Sequence, residues 1–453
     1  MTIFAKQALL ASGWADDVRV VIEGEQVASV HLNSTAMNSD VRVDTLLPAL
    51  ANVHSHSFQR AMAGMAEVRK AGRDSFWTWR QVMYRFMERL TPDQIEAIAA
   101  QVFVEMQEAG YASVGEFHYV HHQKGGASYD SLAELSLRIM SAAQETSIGL
   151  THLPVLYSYG GAGEVPLGED QLRFGNEIDR FCRLVEDARA GLNNLPPDAR
   201  IGIAPHSLRA TSPNDLQALL NWRSDEPIHI HIAEQPKEVA DIQGWLTARP
   251  VEWLLNNAPV GREWCLIHAT HMTEFETRGM AESGCVAGLC PITEANLGDG
   301  PFNGRTYLEA GGRFGIGSDS NINISLTEEL RTLEYSQRLR DLARNVLVVG
   351  EGSVGQALYT RAATGGAQAL GRRTGEIAEG NLADLVAIDS LDPALISLGK
   401  DQLLDGLVFA AKDRVVTDLW SAGRHCVTGG RHFAHETIFT RYRDSISDLL
   451  TSV

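Results

Sequence analysis

The stretch Leu47-Pro48-Ala49-Leu50-Ala51-Asn52-Val53-His54-Ser55-His56-Ser57-Phe58-Gln59-Arg60 runs from an apolar segment into His-x-His and then into polar residues. Read as a β-strand, it puts residues two apart on one side, so His54 and His56 reach a single point while Ser55 turns away. Two imidazoles delivered to one point can hold a metal ion. Alone, the motif fits two packed or surface histidines equally well, and the rest of the chain decides between these readings.

Downstream, apolar segments recur at 112–119, 148–157, 200–206, 228–234, 264–270, 285–292 and 313–319, mostly separated by stretches of helical pattern. With the His54 strand they make eight. Strands covered on both faces lose the polar alternation of a half-exposed sheet, so near-continuous hydrophobic strands alternating with helices predict an α/β fold with a parallel sheet closed into a (β/α)8 barrel. An open doubly wound sheet is the alternative. It is disfavoured because no Gly-x-Gly-x-x-Gly turn follows the first strand and the chain has no Gly-x-x-x-x-Gly-Lys-Ser/Thr loop.

Outside the barrel, Val18-Arg19-Val20-Val21-Ile22 and Gln26-Val27-Ala28-Ser29-Val30 flank the turn-former Glu23-Gly24-Glu25, which predicts a small antiparallel sheet. After the barrel, 380–389 and 415–423 return to β character. The expectation is a small β-sandwich domain assembled from both termini: 1–46 and 372–430 around a barrel at 47–371, with a final helix over 431–453. Between Glu67 and Gly110 the pattern is helical, and Thr91-Pro92-Asp93-Gln94 reads as a helix start.

The chain of 453 residues is 44% hydrophobic and carries a formal net charge of -18. That balance argues against nucleic acid or an anionic membrane as partner and favours a small-molecule substrate. No basic segment followed by an apolar one opens the sequence and no apolar run is long enough to span a bilayer, so a cytoplasmic setting is expected. The five cysteines are scattered without a Cys-x-x-Cys pair, as expected of reduced, packed thiols.

Barrel active sites gather at the carboxyl ends of the strands. Strand five reads Ile228-His229-Ile230-His231-Ile232-Ala233-Glu234, strand six ends Ile267-His268-Ala269-Thr270, and strand eight ends Gly317-Ser318-Asp319-Ser320. One histidine on a strand is ordinarily packing, and Asp before Ser is ordinarily a helix cap. Ligand-type residues at four strand ends together point to a metal site held by His54, His56, His231 and Asp319.

These residues resemble the amidohydrolase superfamily, whose pattern is His-x-His on strand one, His on strands five and six, and Asp on strand eight. No lysine ends strand four, which reads Ala204-Pro205-His206-Ser207; the resemblance therefore implies the mononuclear, deaminase-like branch, as does Glu234 three residues past His231. Within that branch the blocks 54–64, 74–80, 116–122, 206–209 and 293–300 are similar to the formimidoylglutamate deiminase family, with Ser57 where Ala is more usual. The resemblance implies deimination of N-formimino-L-glutamate, with one zinc ion (iron being the alternative) and a homodimer. A zinc ion with an open position brings its bound water toward neutrality, and the hydroxide so formed can attack an amidine carbon.

Three side chains take catalytic roles in this reading: Glu234 carries the proton to the departing nitrogen, His268 polarises, and Asp319 both binds metal and accepts a proton. Alternatively, Glu234 only orients His231. Arg209 and Arg80 are the expected grips for the two substrate carboxylates, because a guanidinium can meet a carboxylate through two parallel hydrogen bonds; a surface charge, or for Arg80 a stem packed on tryptophan, is the plainer reading. Gln59, Tyr119, His206 and Ser320 complete the expected substrate contacts. A purine or pyrimidine deaminase would share the metal residues with less use for two arginines. A formamide-releasing hydrolase would break the other bond, and an inactive scaffold should have lost a ligand.

Overall fold

The computed structural model describes residues 1–67 and 76–451; Asp74 and Ser75 of the block 74–80, and most of the expected helical stretch before Phe76, lie outside the described residues. Four strands open the chain: β1 (Thr2–Leu10), β2 (Gly13–Glu23), β3 (Gln26–His31) and β4 (Val41–Pro48). Then come β5 (Leu50–Ser55), β6 (Tyr111–His118), β7 (Gly149–Leu156), β8 (Arg200–Ile201), β9 (Ala204–Pro205), β10 (Ile228–Ile232), β11 (Trp264–His268), β12 (Val286–Leu289) and β13 (Arg313–Ile316). Four more follow: β14 (Leu385–Ile388), β15 (Val416–Ser421), β16 (Arg424–Thr428) and β17 (Arg431–His432).

Strands β5 to β13 form the barrel. Hydrogen bonding runs in the order β10-β11-β12-β13-β5-β6-β7-β8, every pairing parallel, with β9 paired to β7. The ring closes through parallel bridges Ile203–Ile228 and Ser207–His231, supported by His229 N–H to Ile203 O (3.1 Å) and His231 N–H to His206 O (3.0 Å). All eight residues of β6 and all eight of β7 are buried, which is why these strands read as unbroken hydrophobic runs.

The fourth strand, expected as one segment, is split into β8 and β9. Gly202 passes so close to the neighbouring chain that a Cβ there would lie 2.3 Å from Pro227 O, and Pro205 has no N–H to give the ladder. The seventh is shorter than expected, because Pro291 starts the helix Pro291–Leu297. Thr91 caps the helix Pro92–Glu108 through a capping box with Gln94, as its sequence predicts.

The amino end of the barrel is plugged by the last turn of the helix Val354–Ala369. His229 Nε2 donates to Ala369 O (2.8 Å) and Thr151 Oγ1 to Leu370 O (2.9 Å). Close approach is possible because Gly365 lacks a Cβ, which would sit 1.9 Å from Phe314 O.

The terminal segments do combine. Their strands form one continuous eight-stranded sheet, β17-β16-β15-β14-β4-β1-β2-β3, so the expected sandwich is, in hydrogen-bond terms, a single ladder. The β2–β3 hairpin is antiparallel as expected, but β1 and β4 pair parallel, which makes the sheet mixed. The closing helix is His435–Thr451. All five cysteines are free thiols, and no helix among the described residues is long and apolar enough to cross a membrane.

Candidate active site

The carboxyl ends of β5, β10 and β11, with the segment after β13, bring ligand-type atoms together. Donor atoms of His54, His231, His268 and Asp319 all lie within 4.8 Å of one another, and all four residues are buried. His56 adjoins this group, its Nε2 lying 3.2 Å from Asp319 Oδ1. The backbone is bent to achieve this: Ala233, His268, Ala269 and Asp319 all have positive φ, between 44° and 66°. Non-glycine residues occupy that region at a cost, and such strain gathers at functional sites.

The charge states suit a cation. His56 Nδ1 donates to Phe117 O (2.9 Å) and His231 Nδ1 to His206 O (3.1 Å), which leaves the Nε2 lone pair of each facing the cluster. Burial drives His54 down to about 3 and lowers His56 and His231, so these imidazoles are neutral, the form that binds metal. Burial alone would raise Asp319, but the adjacent His54 and His268 hold it well below the usual carboxylate range. His54 Nε2 lies only 3.0 Å from His231 Nε2 and 3.4 Å from Asp319 Oδ1, a convergence of acceptors that a metal ion would satisfy. The residues present therefore fit a metal.

Two groups beside the donors are tuned by opposite effects. Glu234 is pushed up to about 7 by burial, against the pull of His268 and Arg209. Burial would depress His268, yet Glu234, Glu294 and Asp319 surround it and raise it to about 10. Its Nε2 stands 4.0 Å from Glu234 Oε1 and 3.9 Å from Asp319 Oδ2.

A cavity opens over this cluster, lined by His56, Gln59, Phe76, Trp79, Arg80, Met83, Tyr84, Tyr119, Tyr157, Phe174, His206, Arg209, His231, Glu234, His268, Leu297 and Asp319. Arg80 donates to Tyr157 OH (2.8 Å), and its guanidinium carbon lies 5.0 Å from the Tyr84 ring and 5.7 Å from Trp77, so it both stacks and lines the cavity. Arg209 reaches the same Trp77 ring at 5.7 Å and stands 4.0 Å from Glu238 Oε2, while its buried Nε has no hydrogen-bond partner among the described residues. Gln59 donates to Tyr119 OH (2.9 Å), leaving its own Oε1 buried without a partner there. Of the sequence-predicted substrate contacts, Ser320 alone is absent from this lining. Its Oγ meets Thr293 Oγ1 at 3.0 Å, and it lines a smaller neighbouring cavity together with Gln59.

Sequence reasoning missed the residues behind these. Glu238 accepts the backbone N–H groups of Ala233 and Glu234 (3.2 and 3.1 Å), Glu116 accepts that of Ser57 (2.8 Å), and Asn52 bonds Ser318 Oγ (2.6 Å). Glu294 faces His268 Nδ1 at 3.3 Å. Glu116 and Glu294 fall within the blocks that carried the family resemblance, which was the only signal available for them.

A closed parallel barrel whose carboxyl mouth assembles buried imidazoles, a carboxylate and a buried glutamate raised toward neutrality defines a metal-dependent hydrolase. Residues 45–426 match the Amidohydrolase family, and residues 1–44 match the N-terminal domain of Formimidoylglutamate deiminase HutF. The chain belongs to the amidohydrolase family. It is 49% identical to the formimidoylglutamate deiminase of Pseudomonas aeruginosa over 99% of both chains. Among solved structures, an amidohydrolase from Brucella melitensis superposes with a TM-score of 0.95 at 46% identity, covering 99% of each chain. An adenosine deaminase from Xanthomonas campestris with bound zinc shares the fold at a TM-score of 0.83 and 20% identity, covering 99% of this chain and 98% of that one.

Proposed function

We propose that this chain is a formimidoylglutamate deiminase, which hydrolyses N-formimino-L-glutamate to N-formyl-L-glutamate and ammonia in histidine degradation. The observation that carries the reading is the placement of Glu234: a buried carboxyl raised to about 7, beside His268 and the metal donors, in a cavity that also presents Arg80 and Arg209. The near-full-length similarity to the Pseudomonas aeruginosa enzyme supports the choice of substrate.

His54, His56, His231 and Asp319 would hold a zinc ion, which would supply a water acidified toward neutrality. Glu234 takes a proton from the attacking water and passes it to the terminal nitrogen; the remaining hydroxyl proton goes to Asp319 and on to the same nitrogen, which leaves as ammonia while the new C–O bond becomes the formyl carbonyl. An acid whose own value lies near neutrality suits both halves of that transfer. His268, held among three carboxylates, presents a polarised ring to the oxygen that gains charge. Asp319, anionic at rest, accepts the hydroxyl proton and would also help to hold the cation. Arg209 and Arg80 meet the substrate carboxylates, with Tyr119, His206, Gln59 and Ser320 adding hydrogen bonds around them. Zinc as the ion, a homodimer and a cytoplasmic setting belong to the same reading.

Incubation of zinc-loaded protein with N-formimino-L-glutamate tests it. Ammonia and N-formyl-L-glutamate are the expected products. Formamide with glutamate would assign the other C–N bond, and absence of turnover would remove the substrate.

A further inference from the structure

Glu294 sits on the short helix after β12, nearly inaccessible to solvent, and lies outside the lining of the substrate cavity. Its backbone is tied at both ends: its N–H donates to Cys290 O (2.9 Å), and its carbonyl accepts the Asp299 N–H (2.9 Å). Its carboxylate is tied as well, since Oε1 accepts the Cys290 N–H at 2.9 Å and stands 3.3 Å from His268 Nδ1. An oxygen already accepting a backbone N–H leaves the shared hydrogen on the imidazole, so Nδ1 is the donor and Nε2 is the nitrogen turned toward Glu234 and Asp319.

Little else fixes that choice. The His268 ring stacks on His231 with centroids 5.6 Å apart and planes 16° from parallel, and stacking does not distinguish one ring nitrogen from the other. We propose that Glu294 is the positioning residue of the site, accepting from His268 Nδ1–H and so fixing the orientation of the ring; this rests on the role given to His268 above. A carboxylate behind a functional histidine is the arrangement that fixes such a ring elsewhere in protein chemistry.

A second observation makes the proposal testable by chemical means. Glu294 also lines a separate surface cavity of about 460 Å³, with Pro291, Ala295, Thr332 and Ser336. Truncating Glu294 joins that cavity to His268 Nδ1, and a small carboxylate can then take the place of the missing side chain.

Glu294→Ala should lower kcat by about 10–100-fold while KM stays nearly constant. Acetate should restore turnover to this variant with saturation and leave the wild-type enzyme unaffected. Glu294→Leu fills the space without an acceptor and should lose as much, with no response to acetate; Glu294→Gln keeps an acceptor oxygen and should fall between. Ring nitrogen-15 spectra of histidine-labelled protein, which need no substrate, should show the His268 Nδ1–H in a strong hydrogen bond in the wild type. In Glu294→Ala and Glu294→Leu that Nδ1 signal should shift as the hydrogen bond is lost. Unchanged kcat in these two variants, or unchanged His268 ring signals, overturns the proposal. Because the spectra are read without turnover, a wrong substrate and a wrong role for Glu294 give different results.

Discussion

At the carboxyl end of the barrel, His268 stands 4.0 Å from Glu234 and 3.9 Å from Asp319, and the backbone beneath them takes positive φ at four non-glycine residues. At the amino end, Arg372 donates to Asp198 at 2.9 Å and to Asp384 at 3.2 Å, and Arg424 meets the same Asp198 at 2.7 Å, binding the plugging helix to the small sheet. Both ends bury charge. At the amino end each carboxylate has a short ion pair, and Asp198, which burial alone would raise, is held below its ordinary value by Arg424 and Arg372. At the carboxyl end Glu234 is left at about 7 without a close partner, and left-handed residues cost of order 1–2 kcal/mol each. One end spends charge on cohesion; the other keeps it unsatisfied, where a substrate and an ion can use it. The contrast predicts that substitutions at the two ends separate activity from stability.

The largest effect belongs to the carboxyl end. Glu234→Gln should cut kcat by about 10²–10⁴-fold, with metal content and thermal midpoint equal to or above those of the wild type. Steady-state kinetics beside a melting curve checks it, and a fully active variant would remove Glu234 from its role. At the amino end the pattern should reverse. Arg372→Met leaves Asp198 and Asp384 short of a cation and should cost about 3–5 kcal/mol in denaturant unfolding, with kcat of the folded fraction near wild type.

A smaller change sharpens the picture of the mouth. Arg209→Lys keeps the charge but loses the planar fork, and should lower kcat/KM through a KM rise worth about 1.5–3 kcal/mol, with unfolding unaffected. The smallest effect appears in acid. Since the Asp198 carboxyl is held below its ordinary 3.8, its stabilisation is complete above that pH and fades as the pH falls through the folded value. The wild type should therefore lose unfolding free energy below pH 3.8 more steeply than Asp198→Asn; equal slopes would show that the amino-end cluster does not bear on acid stability.

What could be read in the sequence follows the same division. The barrel was legible because strands covered on both faces are written as hydrophobic runs, and the ligand-type residues were legible because they punctuate the ends of those runs: His54 and His56, His231, His268 and Asp319. The supporting carboxylates were not. Glu238 and Glu294 come from helices after the strands they serve, and nothing in their local spacing announces a partner across the mouth. The amino-end cluster was hidden for a stronger reason, since Asp198, Arg372, Asp384 and Arg424 are scattered over more than two hundred residues and meet only in the folded chain. The break of the fourth strand was written in Gly202 and Pro205 but masked by the apolar residues around them.

Removal and return of the ion probes the central claim most directly. Protein stripped by a chelator should lose ammonia release from N-formimino-L-glutamate, and about one zinc per chain should restore it together with a rise in thermal midpoint. His231→Ala should bind zinc far more weakly. Full turnover by the metal-free protein, or undiminished zinc binding in His231→Ala, would contradict the account.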